Sequence, residues 1–156
     1  MNLQIPTSLL NDHEVIRSTL KRAMREPGAT GEAARRVMQI LDGHMMREEK
    51  FAFRPLSLLP VLARGETPAA LGEALKLTEA LKHEVAQMRE EHRQISDALR
   101  KLAQDAEGEG KGEYVALAQE LLQHQHLEEE IIYPAALLVG EFAKRIRKEP
   151  DAPAGA

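Results

Sequence analysis

The sequence predicts an all-α protein folded as an antiparallel up-down-up-down four-helix bundle, and three observations carry that reading. Leu (21) and Ala (22) outnumber Val, Ile and Thr together (18), and aromatics are only 3% of residues, a balance that favours helix over strand. Gly and Pro punctuate the 156 residues at Pro27-Gly28, from Pro60 to Pro68 and from Gly108 to Gly112, leaving four long segments. Each segment carries apolar residues at alternating steps of three and four, the spacing that keeps one helix face toward a bundle axis.

Helix A is expected over residues 6–26, with Leu9, His13, Ile16 and Leu20 on its inner face. Helix B should span 31–57 and present Val37, Leu41, His44, Glu48 and Phe51. Helix C, over 68–107, has the clearest start, Thr67 as N-cap and Pro68 at the first helical position. Its stripe runs Leu81, Val85, Met88, His92, Ile95, Leu99 and Leu102. Helix D, over 113–148, offers Leu117, Leu121, His124, Glu128, Ile131, Ala135 and Leu138. Short connections make A and B, and C and D, antiparallel neighbours. Residues 1–148 thus form one helical domain, and the Pro-, Ala- and Gly-rich stretch 149–156 has nothing to bury and should be a disordered tail. A straight helix C would run ~60 Å against ~40 Å for helix B. The chain is therefore expected to bend between Leu71 and Leu77, at Gly72, so that the segment after Pro68 caps the bundle and closes one end of its interior.

Charge and composition exclude several functions. Basic and acidic residues number 21 and 25, for a net charge of −4, with the signs well mixed, so no nucleic-acid partner is expected. No basic leader precedes an apolar run, and the longest apolar stretch is broken by Pro134, so the chain should be cytoplasmic with no membrane association. Cysteine is absent, which removes thiolate zinc sites, cysteine-held iron-sulfur clusters and thiol nucleophiles. Any metal must be held by nitrogen and oxygen.

Each inner face has a polar intruder. One seam position on every helix is His (His13, His44, His92, His124), and on B and D a Glu follows four residues later (Glu48, Glu128). An i,i+4 pair on a helix lies ~40° and ~6 Å apart, so each His and its Glu point into one layer. Counted from the turns, His13 lies 14 residues before Pro27, His44 16 after Gly28, His92 16 before Gly108, His124 12 after Gly112 and Glu128 16 after it. At ~1.5 Å rise per residue these mismatches are a few Å, so all six can converge on one mid-bundle region. Two buried carboxylates cost several kcal/mol each unless matched by cations, and neutral imidazoles cannot supply the charge. Two metal ions can, and the donor set suits iron, manganese or zinc. His126 and His83 point ~200° and ~180° away from His124 and His92 on their helices and should be solvated. A competing register on helix D, through Leu122, His126, Glu130 and Tyr133, has the more polar stripe. The Glu-x-x-His pair of ferritin-like bundles, phosphate-cradling Gly loops and serine elbows are missing.

The pieces Asn11-Asp12-His13, His44-Met45-Met46-Arg47-Glu48-Glu49, Glu91-His92-Arg93-Gln94-Ile95 and His124 to Pro134 resemble the hemerythrin-like HHE cation-binding family. The resemblance implies a hemerythrin-like bundle, with His13, His44, Glu48, His92, His124 and Glu128 as ligands of two non-haem iron ions, zinc or manganese being the other metals that fit. Oxygen-carrying hemerythrins have a second His on the third helix, but the positions four either side of His92 are Met88 and Ser96. The set is similar instead to di-iron repair-of-iron-centres proteins, which usually add a cysteine-bearing domain, whereas this sequence contains no cysteine. The function implied is binding or reduction of a small diatomic (O2, NO) or peroxide. The alternative is a metal-dependent sensor or iron-handling and repair module without turnover. A homodimer and an electron donor or protein partner are compatible with either.

Overall fold

The computed structural model describes residues 3–148, and every regular element among them is helical. The expected tail at 149–156 lies outside the described residues. In chain order the elements are α1 (Thr7–Ala23), α2 (Ala29–Arg47), a π-helical segment π1 (Glu48–Phe53), α3 (Arg54–Leu56), α4 (Leu59–Ala63), α5 (Leu71–Gly108), α6 (Gly112–Leu127), a second π-helical segment π2 (Glu128–Ile132) and α7 (Tyr133–Lys148). They make four rods: α1, α2-π1-α3, α5 and α6-π2-α7. Contacts of α1 with α2, α2 with α5, α5 with α6 and α6 with α1 close the rods into a ring, so the expected bundle forms.

One end of the bundle is tied by its own turns. The start of α2 has no capping side chain of its own, because Gly28, at φ 79°, occupies the N-cap position. Glu109 supplies the cap from the other hairpin, its Oε1 accepting from the Thr30 backbone N–H (2.6 Å) and hydroxyl (2.5 Å), where the helix dipole favours an anion. Glu109 is held in place by a Schellman-type ending of α5. The Lys111 N–H donates to the Ala106 carbonyl (2.8 Å) and the Gly110 N–H to Glu107 (3.1 Å), with Gly110 at φ 70° as that motif requires. Pinning one turn to the other sets the two hairpins level, so residues counted from the turns meet at equal heights.

The core lies in layers along the axis. Next to the turns Leu20, Val37, Leu41, Ile95, Leu99 and Leu121 pack together. Below them Phe53, Leu56, Leu81, Met88, Ile132 and Tyr133 form a second layer, and Leu3, Leu58, Leu71, Val139 and Ala143 a third. All six polar seam residues lie between the first two layers.

Two expectations fail, each for a physical reason. Helix C does not bend: α5 is one unbroken helix from Leu71 to Gly108, with Gly72 inside its first turn. The break falls earlier, where the Leu71 N–H closes a turn onto the Pro68 carbonyl (3.3 Å), so Thr67 and Pro68 precede the helix rather than start it. Leu71 is buried instead by α7, which runs alongside to Lys148 and brings Val139 and Ala143 against it. Close approach of α5 and α7 rests on Gly140, where a Cβ would come within 2.0 Å of Thr78 Oγ1. The second failure is one of phase. Beyond Glu48 and Glu128 the expected inner residues turn away: Ile131 and Leu138 are 57% and 66% exposed, and Phe51 and Ala135 are half-buried. The next residues along, Ala52, Ile132, Ala136 and Val139, are buried instead. A π turn closes i to i+5 and holds one residue more than an α turn, so each stripe advances by one position as it passes the Glu.

Candidate metal centre

The six expected residues meet at mid-bundle. His13, His44, His92, Glu48 and Glu128 are buried, and His124 is half-buried, its side chain 16% exposed. His126 and His83 are exposed, as helical geometry required. The competing register fails, since Glu130 faces solvent with His126.

The imidazoles sort into two pairs. His44 and His92 lie with ring centroids 4.5 Å apart, and His13 and His124 5.7 Å apart. Glu48 and Glu128 lie between the pairs, and each divides its oxygens across them. Glu48 Oε1 is 3.1 Å from His44 Nε2 and 3.7 Å from His92 Nε2, while its Oε2 is 3.5 Å from His13 Nε2. Glu128 Oε2 is 3.2 Å from His92 Nε2, while its Oε1 is 2.7 Å from His124 Nε2 and 3.7 Å from His13 Nε2. Two overlapping clusters result, His44-Glu48-His92-Glu128 and His13-His124-Glu128, with the donor atoms of each within 4.8 Å of one another. Such a cluster is able to hold a metal. The buried Nε2 atoms of His13, His44 and His124 and Oε1 of Glu128 have no hydrogen-bond partner, and buried polar atoms normally have one. Converging unpartnered donors of this kind fit a cation.

Outer carboxylates orient three of the rings. The Nδ1 atoms of His13, His44 and His92 hydrogen-bond Glu49 (2.9 Å), Glu91 (2.8 Å) and Glu129 (2.8 Å). A proton held at Nδ1 leaves the Nε2 lone pair facing the centre, the arrangement that metal-binding imidazoles use. Arg17 holds Glu49 at 2.8 Å, and Arg47 holds Glu91. Desolvation would raise both outer carboxyls, but these hydrogen bonds from arginine and histidine outweigh it and keep them below the usual range.

The inner groups feel burial and one another. Desolvation pushes the His92 imidazole down, yet hydrogen bonding to Glu128 and Glu48 prevails and lifts it to about 10. His44 and His124 are raised for the same reason, by Glu48 and Glu128 respectively. Burial would raise Glu128 as well, but the facing imidazoles of His124, His13 and His92 hold it well below the carboxylate range. Next to these carboxylates the imidazoles of His44, His92 and His124 favour their protonated forms, a compensation that neutral imidazoles could not provide.

The π turns bring in residues that sequence reasoning missed. Because residue i+5 of a π turn lies over residue i, Phe53 sits over Glu48 and Tyr133 over Glu128. Phe53 packs on His13, with centroids 4.8 Å apart. Tyr133 stacks on His92 at 5.8 Å and 15°, and its hydroxyl donates to Glu48 Oε1 and lies 3.3 Å from His92 Nε2. Burial and the charges of Glu48 and Glu128 raise this phenol far above its ordinary value, so it remains a neutral donor. Pro55 and Pro134 were the available signal. A proline inside an apolar-periodic helix clashes with the carbonyl four residues back, and a widened turn relieves that clash.

The hemerythrin HHE cation-binding domain model matches residues 5–136. Neither a search of curated proteins nor one of solved structures gave a match.

Proposed function

Because the chain belongs to the hemerythrin HHE cation-binding family, we propose that it carries a two-metal non-haem centre that binds or reduces a small ligand, O2, NO or peroxide. Iron is the metal of the proposal, with zinc and manganese compatible with the same donors. The observation that carries it is the division of both buried carboxylates across two imidazole pairs. His44 and His92 would hold one ion and His13 and His124 the other, with oxygens of Glu48 and Glu128 available to each. A metal pair held so would supply Lewis acidity and one-electron redox chemistry at coordination positions that two imidazoles and two carboxylate oxygens per ion leave open.

The chain's own residues do the rest. Glu49, Glu91 and Glu129 keep the Nδ1 protons of their histidines and aim Nε2 inward. Tyr133 fixes one Glu48 oxygen and offers the only hydroxyl described as bonded to the inner residues. The apolar layers on either side exclude bulk water, which strengthens every electrostatic contact at the centre.

The test is metal analysis of untagged protein. Two metals per chain are expected, with Glu48→Ala losing most of the metal and His126→Ala retaining it; equal loss in both sinks the assignment. Fe(II) should also raise the melting temperature of metal-free protein, since occupancy of the native state alone stabilises it. Stopped-flow mixing of reduced protein with O2, NO and H2O2 then identifies the ligand.

A further inference from the structure

The surroundings of the centre repeat, with one exception. His13 and His92 each meet the acid that follows an inner Glu, Glu49 and Glu129. His44 meets Glu91, the residue just before His92. By that repeat the residue just before His13 should serve His124, and it is Asp12, one methylene shorter and exposed. Asp12 acts on the His124 imidazole through its charge, and both line a groove of about 470 Å³ between α1 and α6. His124 is the most exposed of the four imidazoles, its side chain at 16% against 1%, 1% and 4% for His13, His44 and His92.

That groove ends against the centre. A cavity of about 10 Å³ lies among the inner histidines and glutamates, and Ile16, Leu121 and His124 line both it and the groove. These three side chains are the partition between outside and inside. The groove's walls are apolar, with Val15 and Leu117, whereas Asp12, Glu113 and Glu120 make its charged border acidic. Arg22, the one arginine or lysine in its lining, is taken up by Glu113 at 2.5 Å. A second groove, between α5 and α6, reaches His92, but there Glu129 covers Nδ1 and a hydrogen bond from Ser96 to Gln125 (2.8 Å) spans the helices.

We propose that the α1–α6 groove is the entry path to the centre, that it admits small uncharged molecules of diatomic size in preference to anions, and that Ile16 sets the width of the passage. This rests on the reading of the centre as a small-ligand site, and it narrows the ligand class. Apolar walls favour a neutral gas over water-bound ions, and an acidic border repels anions before they reach the partition.

The first experiment needs no metal. Thr19→Trp places an indole in the groove of a chain that has no Trp, and its quenching by dissolved oxygen and by iodide is measured in metal-free protein. Oxygen should quench far better than iodide, and adding Asp12→Asn and Glu120→Gln should raise the iodide constant about threefold or more while leaving oxygen unchanged. Equal quenching by both, indifferent to those charges, overturns the anion barrier. The second uses iron-loaded protein mixed with NO. Ile16→Ala should speed binding, and Ile16→Phe slow it, by about fivefold or more at unchanged iron content. Rates that ignore Ile16 but respond to Ser96→Trp assign entry to the α5–α6 groove and overturn the proposal. Wild-type protein that takes up no iron would refute the metal centre itself, and the quenching result would still decide the groove.

Discussion

The two π turns repeat one device, and the difference between them that bears on the centre is the hydroxyl of Tyr133. Each begins at an inner glutamate and carries an aromatic residue five positions on, Phe53 after Glu48 and Tyr133 after Glu128. Each ring lies against the histidine of an uninterrupted helix, His13 of α1 or His92 of α5. On the Phe53 side the centre is bounded by hydrocarbon. On the Tyr133 side a hydroxyl reaches back across the bundle to Glu48 and links the two rods that carry carboxylates. The comparison teaches that a shared backbone irregularity places the ring, while a single oxygen decides whether that side of the centre is inert or can donate a hydrogen bond.

The largest effect should come from removing either ring. Phe53→Ala and Tyr133→Ala are each expected to cost about 3–5 kcal/mol, the range for truncating a buried aromatic, measured by denaturant unfolding of metal-free protein. Similar losses would support the equivalence of the two turns; a loss near zero at either would break it.

Exchanging the oxygen should cost less. Tyr133→Phe withdraws a donor from the buried Glu48 carboxylate, and Phe53→Tyr buries a hydroxyl against the hydrocarbon beside His13. Each should cost about 1–3 kcal/mol. The double exchange should not restore stability, because the hydroxyl is needed at one turn only; full restoration would mean that the two sides are interchangeable.

Glycines on the carboxylate-bearing rods sharpen the contrast between contact and propensity. Gly140→Ala, driven into Thr78, should lose about 1–3 kcal/mol by overpacking. Gly43→Ala, with nothing within 4 Å of the added carbon, should gain about 0.5–1 kcal/mol from helix propensity alone. Calorimetric melting of the two variants should shift in opposite directions, and a shift of the same sign would show that the α5–α7 approach relaxes freely.

Helix count, hairpin pairing and the six inner residues were legible in the sequence, because they depend on local spacing: turn residues mark the ends, and a His with a Glu four residues on shares one face of any α-helix. The same reasoning placed His126 and His83 outside. It went wrong where one backbone turn changed period. Past Glu128 the inward residues are Ile132, Ala136 and Val139 rather than Ile131, Ala135 and Leu138, a step of one that uniform helical counting cannot anticipate.

Other features were decided only by the assembled bundle. The straightness of α5 depends on α7 lying beside it, and the cap on α2 comes from Glu109, 79 residues distant from Thr30. The outer partners Glu49, Glu91 and Glu129 sit 36 to 47 residues from the histidines they orient. Periodicity reports which face of a helix is turned inward, since that is set by backbone geometry within a few residues. Which side chain it meets there, and whether a groove is left open beside His124, depends on how four faces pack against one another.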